Sequence, residues 1–541
     1  MVSRRGFIAG GLGTLGVMAL AGPASAATNH TCDIAIIGGG VGGVAAAIAA
    51  LKKNRTVVLT EETSMVGGQF SSQLVPADEH YWIEPSKGAY GQSGQYKALR
   101  KAVRDSYKRY RPVTQAFKNS NEPNPGNAWV SRIAAEPMVW RNRMMDVLQP
   151  YVNSGKLKIL YKTTPTSAVV SGQNVTTVTV ETPSGPSTIS ARYFIDATEL
   201  GDLLPIVGAN YTVGAEANTN ELHNDATTPN PGNQQSITWV AALGYNRKNP
   251  GDYRTAAPPN YEQHRPDFDA FFADNLFDPT RDWSWDDGPN FWQYRRVVAQ
   301  SNFTVDVEEV TLLNYPCNDY KGGALLNVSA ADRQAHLDEA KNLTACLIHY
   351  LQNHIPRKDG CGQGYPGLRL RPDISETPDG YAAHPYIREA RRMVSIGRVW
   401  EWHVGVKARP NNDRAAQFND SVGTGHYWLD IHAGPEFEGG LWEECYTYQI
   451  PFMALISNNR KNVLPGGKNL GVSHVVNGAY RLHPTEWAVG EAAGLAAHTC
   501  IAWGLTPEQL RSQRMADFQG VLRRYGSVLE WPDSLQTKWK D

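Results

Sequence analysis

DIAIIGGGVGGVAAAIAALKKNRTVVLTEE, residues 33–62, decides the fold of this chain. DIAII is an uninterrupted apolar run of strand length, stopped at once by glycine. Gly38, Gly40 and Gly43 then place G-x-G-x-x-G at the head of an alanine-rich helix, and RTVVLTE supplies a second strand with Glu61 at its end. In a βαβ unit of this kind the first glycine permits the tight turn and the second lets the backbone approach a pyrophosphate. The third lets the helix pack closely on the strand. The pyrophosphate rests on free N–H groups at the helix N-terminus, where the dipole favours negative charge, and Glu61 is placed to accept hydrogen bonds from the adenosine ribose. The pattern points to the ADP half of a dinucleotide without choosing between FAD and NAD.

Working outward toward the N-terminus, residues 1–26 read as an address. Ser3-Arg4-Arg5-Gly6-Phe7-Ile8 is a twin-arginine pattern, followed by a weakly hydrophobic Gly/Ala/Leu stretch and by Ala24-Ser25-Ala26, a small-residue cleavage site. The apolar run is short and glycine-rich for an anchor, and no later stretch reaches 18 apolar residues in a row. The expectation is a mature chain starting near Ala27, exported by the twin-arginine route to the periplasm or the exterior without stable membrane insertion.

The remaining chain, about 515 residues, suffices for two or three domains or for one large doubly wound domain with a long insertion. The 52 Lys and Arg balance 53 Asp and Glu with no long basic run, which speaks against nucleic acid as a partner. Cys32, Cys317, Cys346, Cys361, Cys445 and Cys500 are dispersed with no C-x-x-C pair, so no zinc or iron–sulfur site is expected. The 15 tryptophans serve either core and interdomain packing or a sugar-stacking platform.

Residues 86–150 show helical spacing, as in YKALRKAVRDSYKRY and EPMVWRNRMMDVLQPYV, whereas 156–197 alternate like strands. Residues 210–310, rich in Pro, Asn, Asp and Trp, read as long loops folded over a site. Helical spacing returns at 329–354, strand-like segments fall at roughly 424–456, and Thr506-Pro507-Glu508 reads as an N-cap with proline in the first turn. Gly360-Cys361-Gly362-Gln363-Gly364 follows no strand, so no second dinucleotide domain is expected.

Three further motifs carry a resemblance. Met65-Val66-Gly67-Gly68-Gln69 is similar to the Gly-Gly turn of glutathione-reductase-type flavoproteins, where small residues let the chain pass the ribityl-phosphate part of FAD. Tyr193-Phe194-Ile195-Asp196-Ala197-Thr198-Glu199-Leu200-Gly201-Asp202 resembles that superfamily's second FAD signature, a strand ending in Asp-Ala-Thr. Near the C-terminus, Asn469-Leu470-Gly471-Val472-Ser473-His474 leads to Arg481-Leu482-His483-Pro484-Thr485-Glu486. Gly490-Glu491-Ala492-Ala493-Gly494 then opens an alanine-rich helix, resembling the third contact, in which a helix N-terminus faces the isoalloxazine. Together with Pro76-Ala77-Asp78-Glu79-His80 and Pro385-Tyr386-Ile387-Arg388-Glu389-Ala390-Arg391-Arg392, these resemble the FAD-dependent oxidoreductase family, a broad group sometimes labelled xanthan-lyase-like. Many members carry an Arg-x-Met-Pro-like run where this chain reads Arg481-Leu482-His483-Pro484.

The resemblance implies an α/β fold. A doubly wound, Rossmann-like FAD-binding domain would be assembled from residues 30–85, 151–209 and 456–504. A helical insertion at 86–150, an inserted α+β substrate domain at 210–455 and a helical tail at 505–541 would complete the chain. It implies FAD as cofactor, held by Gly38, Gly40, Gly43, Glu61, Gly67, Gly68, Gln69, Asp196, Ala197, Thr198, Glu491 and Ala492. Strand periodicity puts His426, Trp428, Asp430 and His432 on one face, a set able to bind a polyol or carbonyl and move a proton, or else a hydrogen-bonded structural strand. Beside the expected flavin helix, Arg481 suits an anionic substrate and His483 a hydroxyl proton, with pairing of Arg481 to Glu486 or Glu491 as the structural alternative. Arg388, Arg391 and Arg392 read as a helical, solvated face or an anion clamp. The catalytic candidates are therefore His432, His483, Arg481 and Asp430, with no metal. The expected activity is oxidation of a hydroxylated small molecule or saccharide, with oxygen, a quinone or a redox protein as electron acceptor. The alternatives are a fumarate-reductase-like enzyme, an FAD-retaining glycan-binding protein and a polysaccharide lyase.

Overall fold

The computed structural model describes residues 28–217, 221–224, 227–284, 286 and 288–536, so the expected signal segment lies outside the described residues. Strand β1 (Thr28–Ile37), helix α1 (Val41–Lys52) and strand β2 (Val57–Glu61) form the anticipated unit, with β1 and β2 parallel and Ile34 opposite Val57. Strand β3 (Leu157–Tyr161) continues the sheet beyond β2. On the other flank β6 (Gly185–Asp196) runs parallel to β1, followed by antiparallel β5 (Asn174–Thr182) and β4 (Thr164–Ser171). The order is β3-β2-β1-β6-β5-β4, and Val463–Pro465 pairs in parallel with the end of β6. All of β2 and Ile34–Ile37 of β1 are buried, as continuous apolar runs in parallel strands demand.

Helix α1 is buried from Val41 to Leu51 because the sheet covers one side and the helix His483–Trp503 covers the other. A Cβ on Gly490 would lie 2.0 Å from the Gly42 carbonyl oxygen, and one on Gly494 would lie 2.5 Å from that of Ala46. Gly490 and Gly494 are therefore the face on which two helices touch backbone to backbone. This corrects the expectation that Gly490–Gly494 opens the last FAD-contacting helix: the helix starts at His483 with Pro484 in its first turn, where a missing N–H costs nothing. Ahead of it, helices Gly94–Tyr110 and Pro137–Asn153 pack into the same core. Behind it, Thr506 caps Pro507–Tyr525 through a capping box with Gln509.

Residues 210–310 are largely loop among the described residues, as expected, but they also contribute short strands and one long helix to an inserted sheet layer that the spacing did not show. Strands Arg296–Val298, Glu309–Leu313, Ala241–Tyr245 and Arg369–Leu370 form an antiparallel sheet in that order, backed by helices Tyr261–Asp274 and Ala330–Asn353 around Phe268, Phe272, Trp292 and Tyr350. Pro266 inside the first helix hid its periodicity, and Ala241–Tyr245, buried on both faces, shows no alternation. Residues 385–392 also depart from expectation. They are extended and buried, with Arg388 on Asp319 at 2.8 Å, Arg391 on Asp202 at 2.8 Å and Arg392 on Glu216 at 2.9 Å. Among the described residues no helix is long and apolar enough to cross a membrane.

Candidate functional site

The glycine turn forms the floor of a cavity of about 660 Å³, a size typical of cofactor sites. Gly38 has φ +106°, and a Cβ there would lie 2.1 Å from the Ala197 carbonyl oxygen, so the turn and its contact with the Asp-Ala-Thr strand both require glycine. A Cβ on Gly43 would meet the Gly38 carbonyl oxygen at 2.1 Å, which is the close helix–strand packing assigned to the third glycine. Glu61 lines the cavity at the end of β2, its Oε1 accepting from Thr63 N–H at 2.8 Å and Thr63 Oγ1 at 2.5 Å. Burial, reinforced by Glu62, pushes its carboxyl up to about 7. The Gly67 N–H donates to the Gly39 carbonyl at 2.8 Å, tying the second glycine turn to the first, and Gly68 lines the cavity.

Ala197 and Thr198 lie in the cavity wall. Asp196 is fully buried behind them, with Oδ1 accepting from the N–H and Oγ1 of Thr198 at 3.1 and 2.7 Å. Burial raises it to about 7 against those two hydrogen bonds. Gln69 donates through Nε2 to the Arg481 carbonyl at 3.0 Å and to Glu486 at 2.6 Å, and the Oε1 atoms of Gln69 and Gln73 are buried with no partner. A glycine cradle, an acid at the ribose position and, next to the cavity-lining Gly68 and Ser72, two buried amide oxygens without partners fit FAD on the residues present. Glu491 and Ala492 do not belong to this set. Glu491 accepts from Ser93 at 2.8 Å and from Ser527 at 2.5 Å, and Ala492 is core, because both sit mid-helix.

Three of the four catalytic candidates, Arg481, Asp430 and His432, meet around the Asp430 carboxylate, and His483 stands apart from them. Arg481 donates to Tyr386 Oη at 2.6 Å and to Asp430 Oδ2 at 2.8 Å, rather than to Glu486 or Glu491. Burial opposes ionisation of Asp430, but His432 and Arg481 outweigh it and hold the carboxyl below the usual range. His432 bridges Asp319 Oδ2 at 2.6 Å and Asp430 Oδ2 at 3.4 Å, and it faces an outer recess shared with Lys321 and Glu438. His483 is buried with its ring centroid 4.4 Å from that of Phe70, and its Nδ1 accepts from the Asp78 N–H at 3.1 Å. Burial, with Arg295 adding to it, lowers its pKa to about 3, so the ring is neutral. His426 and Trp428 lie apart from Asp430 and His432, in a second cavity, because the strand carrying Asp430 spans only Leu429–Ile431.

That second cavity, about 560 Å³, is the site that sequence spacing did not show. Asp78, His80, Tyr294 and Tyr427 line its inner end, and Trp428 stacks on Trp442 at 5.0 Å nearer the mouth, where Trp442 is exposed. Burial raises the Asp78 carboxyl to about 6, although Arg295, 3.9 Å away, and Arg481 pull it down. His80 is lowered to about 3 by burial and by His426, itself lowered to about 4 by burial, so both rings are neutral. Asp78 joins the two halves of the site: its side chain lines this cavity while its N–H binds His483 in the first turn of the helix beside Gln69 and Glu486. The signal was present in Pro76-Ala77-Asp78-Glu79-His80, but nothing in that spacing marks its role.

The model of the FAD dependent oxidoreductase family matches residues 33–522. No curated protein matches the chain. Solved structures with likeness to it include p-nitrophenol 4-monooxygenase from Pseudomonas putida DLL-E4 (16% identity, 68% of this chain and 70% of that one, TM-score 0.28). Others are a geranylgeranyl bacteriochlorophyll reductase-like protein from Thermoplasma acidophilum (9%, 92% and 85%, TM-score 0.31) and the myxobacterial chondrochloren halogenase (12%, 92% and 79%, TM-score 0.30). The family match begins on β1 and ends in the helix after the one that packs on α1, thus spanning every strand of the main sheet from Asp33 onward. On that extent the chain belongs to the FAD dependent oxidoreductase family and is an FAD-binding enzyme.

Proposed function

We propose that the enzyme oxidises a hydroxylated small molecule or saccharide in the Asp78 cavity, and that it works outside the cytoplasm. The observation that carries the reading is Asp78 itself, a carboxyl near neutrality on the wall of an aromatic cavity that adjoins the first turn of the His483–Trp503 helix. FAD supplies the hydride acceptor when bound. The protein's part is to bind, orient and deprotonate. Trp428, Trp442, Tyr294 and Tyr427 offer planes to the apolar faces of a substrate. Above about pH 6 the Asp78 carboxylate takes the hydroxyl proton as the carbon–hydrogen bond is weakened. Neutral His483 fixes the Asp78 backbone, and Arg481, held by Asp430 and Tyr386, contributes positive charge behind the carboxyl. Anaerobic mixing of the holoprotein with a panel of alcohols and sugars tests this: bleaching of the flavin band is expected, and a panel that leaves it unbleached argues against the reading.

One observation favours a second reading. Arg295 is buried beside Asp78 with Nε and Nη1 unpartnered, so its guanidinium keeps donors and charge free for an anionic group. A fumarate-reductase-like enzyme would use it, and reoxidation of photoreduced flavin by a carboxylate-substituted alkene distinguishes that case. Export rests on Ser3–Ile8 and Ala24–Ala26, and the electron acceptor outside the cytoplasm would be oxygen, a quinone or a redox protein.

A further inference from the structure

The second glycine of the fingerprint exists so that a pyrophosphate can come close to the backbone. In this protein a Cβ on Gly40 would lie 2.7 Å from Glu199 Oε1, and one on Gly68 would lie 2.8 Å from the same oxygen and 2.8 Å from Gly40 Cα. One carboxylate oxygen thus occupies the trough that the two glycines keep clear, at the N-terminus of α1 where an anion is favoured. Its other oxygen is ion-paired with Lys468 Nζ, and Lys468 is 2% exposed. Lys468 follows Gly466 and Gly467 directly after the strand that pairs with β6, and a Cβ on Gly467 would meet Glu486 Oε1 at 2.8 Å, so the cation is threaded into the groove by a third small-residue turn.

We infer that Glu199 and the pyrophosphate of FAD compete for Lys468 and for the space between Gly40 and Gly68, so that binding the cofactor moves the Glu199 carboxylate aside and takes up a proton. The charged groups that face Glu199 are Lys468, His384, Glu61, Glu62 and Glu486. Four acidic side chains thus crowd around one lysine and one histidine, and a pyrophosphate brings further negative charge into the same groove. Burial works against ionisation of Glu199, and Lys468 reverses that. Once Lys468 turns to a phosphate oxygen, burial and the new anion both favour the protonated acid. Glu486, raised by burial and held down by Lys468, moves the same way.

Release of FAD from the holoprotein on dilution, read as free-flavin fluorescence between about pH 6 and about pH 8, measures the effect without any substrate. The wild-type Kd should rise with pH by up to about tenfold per unit. Glu199→Gln should bind about tenfold tighter at the upper end and flatten the slope, and Lys468→Met should bind at least about tenfold weaker. Should Lys468→Met fail to fold, with Glu199 buried and unpaired, the double change Glu199→Gln/Lys468→Met restores charge balance and should still bind more weakly than Glu199→Gln alone. A Glu199→Gln protein that holds FAD no more tightly than wild type, or a double variant whose Kd equals that of Glu199→Gln, overturns the inference.

Discussion

Asp78→Asn should inactivate the enzyme and stabilise it. The substitution keeps the size of the side chain and the backbone N–H that binds His483, removing only the ionisable oxygen. The Asp78 carboxyl titrates at about 6 against an ordinary 3.8, because burial outweighs Arg295 and Arg481. Two units correspond to about 3 kcal/mol by which the folded state disfavours the carboxylate relative to the unfolded chain. The sign follows from proton counting. Between about pH 4 and about pH 6 the native state keeps a proton that the unfolded state has lost, so stability falls as pH rises, then levels off. The amide variant has no proton to lose, so its advantage should grow from nothing near pH 4 to between about 1 and about 3 kcal/mol at pH 7, a rise of several degrees or less in Tm for a chain this large. In anaerobic stopped-flow with a substrate found by flavin bleaching, reduction of the wild type should increase about tenfold from pH 5 to pH 7, as the carboxylate fraction does. The Asp78→Asn protein should be slower by about 10²–10⁴-fold. A variant that reduces its flavin at the wild-type rate, or one less stable than wild type above pH 7, refutes the assignment.

Gly490→Val should separate the helices at the Gly42 carbonyl, costing about 1–3 kcal/mol and loosening FAD, both readable by thermal unfolding with and without added cofactor; an unchanged Tm would mean the helices do not touch there. Arg481→Met removes the guanidinium paired with the buried Asp430 carboxylate and should cost about 3–5 kcal/mol, with Arg481→Lys recovering little because only a guanidinium reaches Asp430 and Tyr386 together. Denaturant titration decides it, and full recovery by lysine would count against the bidentate role. Arg4→Lys/Arg5→Lys should leave an uncleaved precursor in the cytoplasm, and unaltered secretion of that chain would point to another export route.

Legibility followed the range of the constraint. Gly38, Gly43, Gly67 and Gly68 could be read from spacing because a positive φ or a carbonyl at van der Waals limit leaves only one residue type, and the demand is made by neighbours in the same turn or on the next strand. The helix holding Gly490 was legible, but its start was not: alanine-rich spacing drew the eye to Gly490, whereas Pro484 marks the first turn. Arg388, Arg391 and Arg392 look like a solvated stripe until Asp319, Asp202 and Glu216 are brought to them from elsewhere in the chain. The same holds for chemistry. Asp78 is an ordinary carboxylate in its own pentapeptide, and its near-neutral titration is created by burial in the cavity it shares with Tyr294 and Tyr427, against the pull of Arg295 and Arg481, all four more than two hundred residues away. A cofactor fingerprint is local because phosphate is gripped by one backbone turn. A proton acceptor is not, since its pKa belongs to the cavity, and the residues lining a cavity owe one another no spacing in sequence.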